Sequence, residues 1–341
     1  RSEPSDWFCH DCKAMVPFGK ECRRRHPKPA GPTSVVSRNG ETRVELSDGM
    51  LMQSKIVDIS DRVMVVNITE SDLERYGQWP WPRHILGLFH AGLTDSGAVL
   101  VNYNVLFAEA DRMGGKEYLK SFPMTDEVRE QLGAFLTDTD RVFAYAINES
   151  KNVVLMMSVK SDKDEIIPTT TQIIQKGNVL PWLYEYNGIV PPLTQLTVGA
   201  KGIGVNVTSP EPDAVVRKMP VLIRVGDKIY PSMLLENIRL VNRSKRIKVV
   251  AKEYGINEVL VSKKAGIPVN HNAEMYINYA DPSQYTQLSV EQVFSREHDD
   301  KIKGRIVVVG MDAAGLSVLK YTPHGLTTDQ LITAQALDTT M

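Results

Sequence analysis

Tyr76-Gly77-Gln78-Trp79-Pro80-Trp81-Pro82-Arg83 is the stretch whose reading decides the fold. Upstream of it runs Val63-Met64-Val65-Val66-Asn67-Ile68, a β-branched run suited to a strand buried on both faces. Downstream, Ile85, Leu86, Leu88, Phe89 and Leu93 fall mostly on one helical stripe between Arg83 and Asp95. Ala98-Val99-Leu100-Val101-Asn102-Tyr103 then reads as a second strand. Strand, helix and strand make a right-handed crossover unit. Each proline drives the tryptophan before it toward extended backbone, and Pro82 suits the first turn of a helix because its missing N–H would be unpaired there. The two tryptophans are thus held in a stiff turn. Either they wedge the strand end against the helix, the reading that burial of large rings favours, or they wall a pocket beside Arg83.

The 341 residues, 42% of them hydrophobic, hold material for one large α/β domain or two smaller ones. Forty Lys and Arg against 41 Asp and Glu leave a formal charge of −1, without the basic excess that a phosphate backbone selects for. Nucleic acid is therefore not an expected partner. The apolar runs are far shorter than the roughly 20 residues that span a bilayer. The chain opens at Arg1 without an initiator Met or a signal peptide, as a processed or excised segment would.

All three cysteines lie within the first 22 residues, which sets residues 1–45 apart as a partly extended arm rich in Pro, Gly, Arg and Lys. Cys9-His10-Asp11-Cys12 together with Cys22-x3-His26 offers three thiolates and an imidazole to a tetrahedral zinc. The gap between the two pairs is shorter than most zinc ribbons use. In an oxidising compartment a disulfide with one thiol left over is the preferred reading, and an inert arm is the third. Zinc at Cys9, Cys12, Cys22 and His26 thus stands second to disulfide chemistry, and no other cofactor is expected.

From residue 46 onward the order is that of an α/β domain. Residues 124–136 and 140–149 read as helices, the second behind Thr139 as a cap, and 153–157 as a strand. Residues 160–200 carry Trp182, Tyr184 and Tyr186 but little pattern. Residues 215–224 read as a strand, Gly226-Asp227 as a turn, and Tyr230-Pro231-Ser232 as the start of a helix reaching 241. A hairpin insertion is expected over 247–251 and 258–262, with a turn at Asn270-His271-Asn272 and a strand at 275–279. A short helix at 289–296, a buried strand at 305–309 and a final helix at 329–339 close the chain. The expected architecture is α/β: a mostly parallel or mixed sheet with flanking helices, a β-hairpin insertion and an extended N-terminal arm.

Further motifs follow the tryptophan turn in a fixed order. They are Val105-Leu106-Phe107-x-Glu109 with Asp111, Pro212-Asp213-x3-Arg217-x2-Pro220, Tyr230-Pro231-Ser232 and Asn278-Tyr279. Lys303-Gly304-x2-Val307-x-Val309-Gly310, Thr322-Pro323 and Ala334-Gln335-Ala336-Leu337 complete the series. Taken together over residues 55–341, they resemble the second type of CHASE domain, the extracytoplasmic sensor of bacterial transmembrane adenylate cyclases, histidine kinases and related receptors. The resemblance implies a sensor domain over 46–341 at the periplasmic face of the inner membrane, anchored by flanking helices absent from this chain. It implies an input, either a small molecule or a periplasmic protein, passed to a cytoplasmic cyclase or kinase by a receptor that works as a homodimer. It implies no catalysis in this segment, and the cysteine arm is not part of the family pattern.

The chain departs from that pattern at three places. Where the family commonly has two aspartates after the first strand, this chain has Ile68-Thr69-Glu70; where it has Phe-Asp after the second, there is Tyr103-Asn104. The usual Pro-Gly-x3-His-Ala reads Thr328-Asp329-Gln330-Leu331-Ile332-Thr333-Ala334. Glu70 and Asn104 would sit at the carboxyl ends of neighbouring strands, the edge where open α/β sheets place their ligand crevice. Charge has been removed from one rim. The pocket candidates are Glu70, Trp79, Trp81, Arg83, Asn104, Glu109, Asp312 and Thr333, in a site either retuned or degenerate.

Enzyme motifs are missing. Gly310-Met311-Asp312-Ala313-Ala314-Gly315 lacks the Lys-Ser/Thr of a P-loop, and no G-x-S-x-G elbow occurs. His84, His90, His271, His298 and His324 show no metal-ligand spacing. Two classes of function remain. A ligand sensor calls for an enclosed pocket near the Trp79 turn; a protein-interaction or dimer-setting ectodomain calls for an exposed apolar patch.

Overall fold

Val63–Thr69 and Ile306–Asp312, the two most β-branched strands, lie side by side in register from Val63 opposite Ile306 to Thr69 opposite Asp312. The computed structural model describes residues 59–162, 171–209, 211–262 and 265–341, together with the backbone of four short strands near the amino terminus. Contacts divide the chain into two compact units, Arg1–Ile56 and Val57–Met341. In the first, Trp7–Cys9 pairs antiparallel with Ala14–Val16, and Ser34–Arg38 with Glu41–Glu45.

The second unit is built on a central sheet in the order Gly188–Val190, Val153–Lys160, Leu100–Tyr103, Ile306–Asp312, Val63–Thr69, Gln287–Ser289, with Gly202–Val205 also on Val153–Lys160. Gly188–Val190 runs antiparallel to its neighbour and the other pairings are parallel. Side-chain alternation sends Val63 and Val65 to one face and Met64, Val66 and Ile68 to the other. Leu234, Leu235, Ile238, Leu331 and Ile332 cover the first face; Leu86, Phe89, Phe143 and Ile147 cover the second. Helices on both faces explain why these strands are apolar throughout rather than alternating.

The Arg83–Asp95 helix begins behind Pro82, as its sequence requires. The crossover through it from Val63–Thr69 to Leu100–Tyr103 skips one strand, because Ile306–Asp312 lies between the two and pairs parallel with both. The Val-rich strand takes the centre, where both of its faces are covered. Glu70–Tyr76 is a helix of its own, capped by Thr69 and Asp72 in a reciprocal capping box. Thr139 is not the cap of the next long helix. Asp138 is, accepting from the Arg141 N–H, while Thr139 turns inward.

Residues 160–200 contain strands after all. Gln172–Lys176 pairs parallel with Arg246–Val250 at the edge of a four-stranded sheet that also holds Gly255–Leu260 and Gly266–Ile267. The expected strand at 215–224 is split into Lys218–Pro220 and Leu222–Val225. Lys218–Pro220 takes Glu274–Tyr276 as its antiparallel partner, so that segment lies outside the Arg246–Leu260 hairpin.

Candidate functional site

At the tryptophan turn, the Trp81 ring is fully buried and its Nε1 donates to the Gly77 carbonyl at 2.6 Å. Tyr76 and Trp79 meet it edge-on at 5.6 and 5.7 Å, and the Trp79–Pro80 bond is cis. Gly77, at φ +94°, ends the Glu70–Tyr76 helix in a backbone region that L side chains rarely adopt. The rings are therefore a wedge of the core, with Trp79 half-buried. Arg83 is buried beside them. Its backbone N–H donates to Asp111 Oδ2 at 2.7 Å, its Nε lies 3.4 Å from Asp140 Oδ1, and its guanidinium stands 4.6 Å over the Phe107 ring.

Asp111 also accepts from the Thr139 hydroxyl at 2.6 Å, and its own N–H donates to Asp140 Oδ2 at 2.9 Å. Burial pulls the Arg83 pKa down, against the opposing charges of Asp140 and Asp111. Burial likewise raises Asp140, against the Asp111 N–H and the Arg83 charge. Arg83 thus neutralises two buried carboxylates rather than presenting a free cation. Asp111, Thr139 and Asp140 turn their outer side to an open cleft of about 480 Å³ that Gly114, Leu193 and Thr194 also line. Glu109 reaches Arg83 only through its carbonyl, at 3.3 Å, while its carboxylate pairs with exposed Arg112.

The carboxyl edge of the sheet holds a second constellation. Asn104, one residue past its strand, donates from Nδ2 to Thr333 Oγ1 at 3.1 Å and to Asp329 Oδ2 at 3.2 Å. Asn206, one residue past Gly202–Val205, donates to Asn104 Oδ1 at 3.2 Å and to Asp329 as well. Lys320 completes the set with an ion pair to Asp329 Oδ1. Asp329 opens the terminal helix, Asp329–Asp338, and the next residue, Gln330, donates to Asn67 Oδ1 and to the Met311 carbonyl, both at 2.9 Å. Gly310 lets that helix approach, since a Cβ there would stand 2.6 Å from the Gln330 side chain. Nearby Tyr279 is buried with its hydroxyl unpaired; burial raises its pKa first, then the charge of Asp329, against that of Arg217.

The sequence candidates fall into three groups rather than one pocket. Asn104 and Thr333 meet at the strand edge. Trp79, Trp81, Arg83 and Glu109 gather at the turn. Glu70 accepts the Ala314 N–H, and Asp312 is exposed at the end of its strand. Because Ile306–Asp312 separates their strands, Glu70 and Asn104 are not on neighbouring strands. Asp329, Asn206, Lys320 and Asp140 were not among the candidates. Thr328-Asp329 carries the signal of a helix start and nothing more.

Ser150, His90 and Tyr103 have the connectivity of nucleophile, base and orienter: His90 Nε2 lies 2.8 Å from Ser150 Oγ, and Nδ1 lies 3.2 Å from the Tyr103 hydroxyl. Ser150 ends a helix, however, where carbonyls gather instead of oxyanion donors, and burial pulls His90 down to about 4. The trio is part of the core. Among the described residues no group of three or more His, Cys, Asp or Glu is placed to hold a metal ion, and no helix is long and apolar enough to cross a membrane. The side chains of Cys9, Cys12, Cys22 and His26 lie outside the described residues.

The buried charges at the turn are thus paired with one another, and the domain's own last helix bonds to the carboxyl edge of the sheet. The chain belongs to the CHASE2 family: the family model for the CHASE2 domain matches residues 38–341. CHASE2 domains are extracellular sensor domains of signalling proteins and not catalysts. The three cysteines precede the matched residues. No curated protein and no solved structure matches the chain.

Proposed function

We propose that this chain is the periplasmic input domain of a bacterial transmembrane receptor. In this reading helices outside the given sequence anchor it at the inner membrane, and it works as a homodimer that sets the activity of a cytoplasmic adenylate cyclase or histidine kinase. The observation that carries the reading is the bonding of Asp329 and Thr333, on the last helix, to Asn104 and Asn206 at the carboxyl edge of the sheet. That edge is where α/β sheets bind ligands. An input, whether a small polar molecule or a periplasmic protein, that competes for those amides would displace the helix. It would do so only by its differential affinity for the two arrangements. In the full-length receptor in membranes, Asp329→Asn is expected to change basal cyclase or kinase output at least about fivefold, the low end of ordinary coupling energies. Unchanged output from a variant that folds and inserts normally would remove the support.

A second reading, a non-catalytic interaction or dimerisation ectodomain with a degenerate pocket, is favoured by a different observation. Tyr118, Phe122, Val128, Leu132 and Phe135 are exposed on and beside the helices Gly115–Lys120 and Asp126–Gly133, Phe135 at 89%. A dimer abolished by Phe135→Ser, with receptor output indifferent to Asp329→Asn, would favour it. In either reading a disulfide in the arm is preferred to zinc at Cys9, Cys12, Cys22 and His26.

A further inference from the structure

The first residues of the α/β unit and its last helix are joined by one carboxylate. Asp338, 8% exposed, accepts from the Ser60 N–H at 2.9 and 3.2 Å, from the Ser60 hydroxyl, and from the Tyr285 hydroxyl at 3.2 Å. Its position is electrostatically adverse. Asp338 is the last residue of its helix, where the macrodipole disfavours a negative charge. Helix stability therefore does not account for an acid there, whereas the donors from Ser60 and Tyr285 do.

The terminal helix has no exposed face, since every residue from Gln330 to Asp338 is buried. A helix packed on all sides passes strain at one end on to the other, because its close-packed neighbours leave no room for it to be absorbed by local bending. Nine steps of 1.5 Å separate Asp329 from Asp338, roughly 13 Å along the axis. One end of the helix is fixed in the strand-edge network of Asn104, Asn206 and Lys320, and the other is fixed on Ser60.

We propose that Asp338 is a latch that holds Ser60 at a fixed distance from the terminal helix, and that the Asp329 network at the far end decides whether the latch is closed. The purpose of such a latch rests on the sensor reading above, but its test reads hydrogen bonds alone. Failure of receptor output and failure of the latch are therefore separate results.

Amide hydrogen exchange on the full 341-residue chain provides the test. Asp338→Ala is expected to speed exchange at residues 60–62 and 336–341 by about tenfold, the size of a hydrogen bond to a charged group, with the amides of Val65, Val66 and Val307 to Val309 unchanged. An equal rise in the central strands would mean that Asp338 is merely structural and would overturn the latch. Asp329→Asn is expected to speed exchange at residues 60–62 at least threefold; a change confined to 320–333 would overturn the coupling. Should Asp338→Ala fail to fold, Ser60→Ala, which removes only the hydroxyl, is expected to give the same pattern at lower amplitude. Unaltered exchange in that variant would count against the latch.

Discussion

Of the two tryptophans in the organising turn, Trp81 alone is fully enclosed, and its ring meets Tyr76, Trp79 and the Gly77 carbonyl at once. Trp81→Ala is expected to cost about 3 to 5 kcal/mol in denaturant unfolding; a cost under about 1 would place the ring outside the core. His90 supplies a pH dependence. Burial lowers it to about 4 from 6.5, so the folded state prefers the neutral ring. The sign follows: stability holds above about pH 6.5 and falls as pH drops toward 4, where the loss levels off at roughly 3 kcal/mol. Unfolding series at several pH values check this, and His90→Gln is expected to flatten the slope across that window. At this scale the sequence was partly legible. The prolines around Trp81 announced a stiff turn. Nothing announced that Arg83 would face Asp111 and Asp140, because a buried ion pair leaves no periodicity and its partners lie on later segments.

The Arg83–Asp95 helix was readable because its apolar stripe and its leading proline are local signals. The strand Gln172–Lys176 was not, because it is fixed by a partner distant in sequence and is too short to show alternation; the run 215–224 was legible as a strand, and only its split into Lys218–Pro220 and Leu222–Val225 was hidden. The same limit hid the place of Ile306–Asp312 between the first two strands: apolar runs reveal burial and not neighbours. One residue couples two elements in a way that is open to test. Asp72 accepts from the Thr69 N–H at 2.8 Å within its own helix, and from the Glu291 N–H at 2.9 Å at the start of Val290–Phe294. Asp72→Ala removes partners from two helix starts and is expected to cost about 2 to 4 kcal/mol. Exchange at the amides of both helices should rise together. A rise at only one of them would show that the two starts are independent.

Across the whole molecule, the order of motifs from Trp79 to Ala336 was enough to indicate the family, while the division of the candidates among three places needed coordinates. Contacts separate Arg1–Ile56 from Val57–Met341, so a chain starting at residue 57 is expected to unfold cooperatively with a Tm within about 2 °C of the full chain. Loss of cooperativity would mean that the arm completes the core. Thiol titration and metal analysis of the full chain are expected to find one free thiol of the three and no zinc; stoichiometric zinc would reverse that assignment. The parallel pairing of Val63–Thr69 with Gln287–Ser289 and Ile306–Asp312 has a consequence for biosynthesis. A ribosome working from the amino terminus releases this strand tens of seconds, in order of magnitude, before either neighbour exists. Until residue 312 emerges, Val63-Met64-Val65-Val66 is an uncharged, unpaired template for association with other chains. The central sheet can therefore close only once residue 312 has been made, and each earlier stage leaves the first strand without its principal partner.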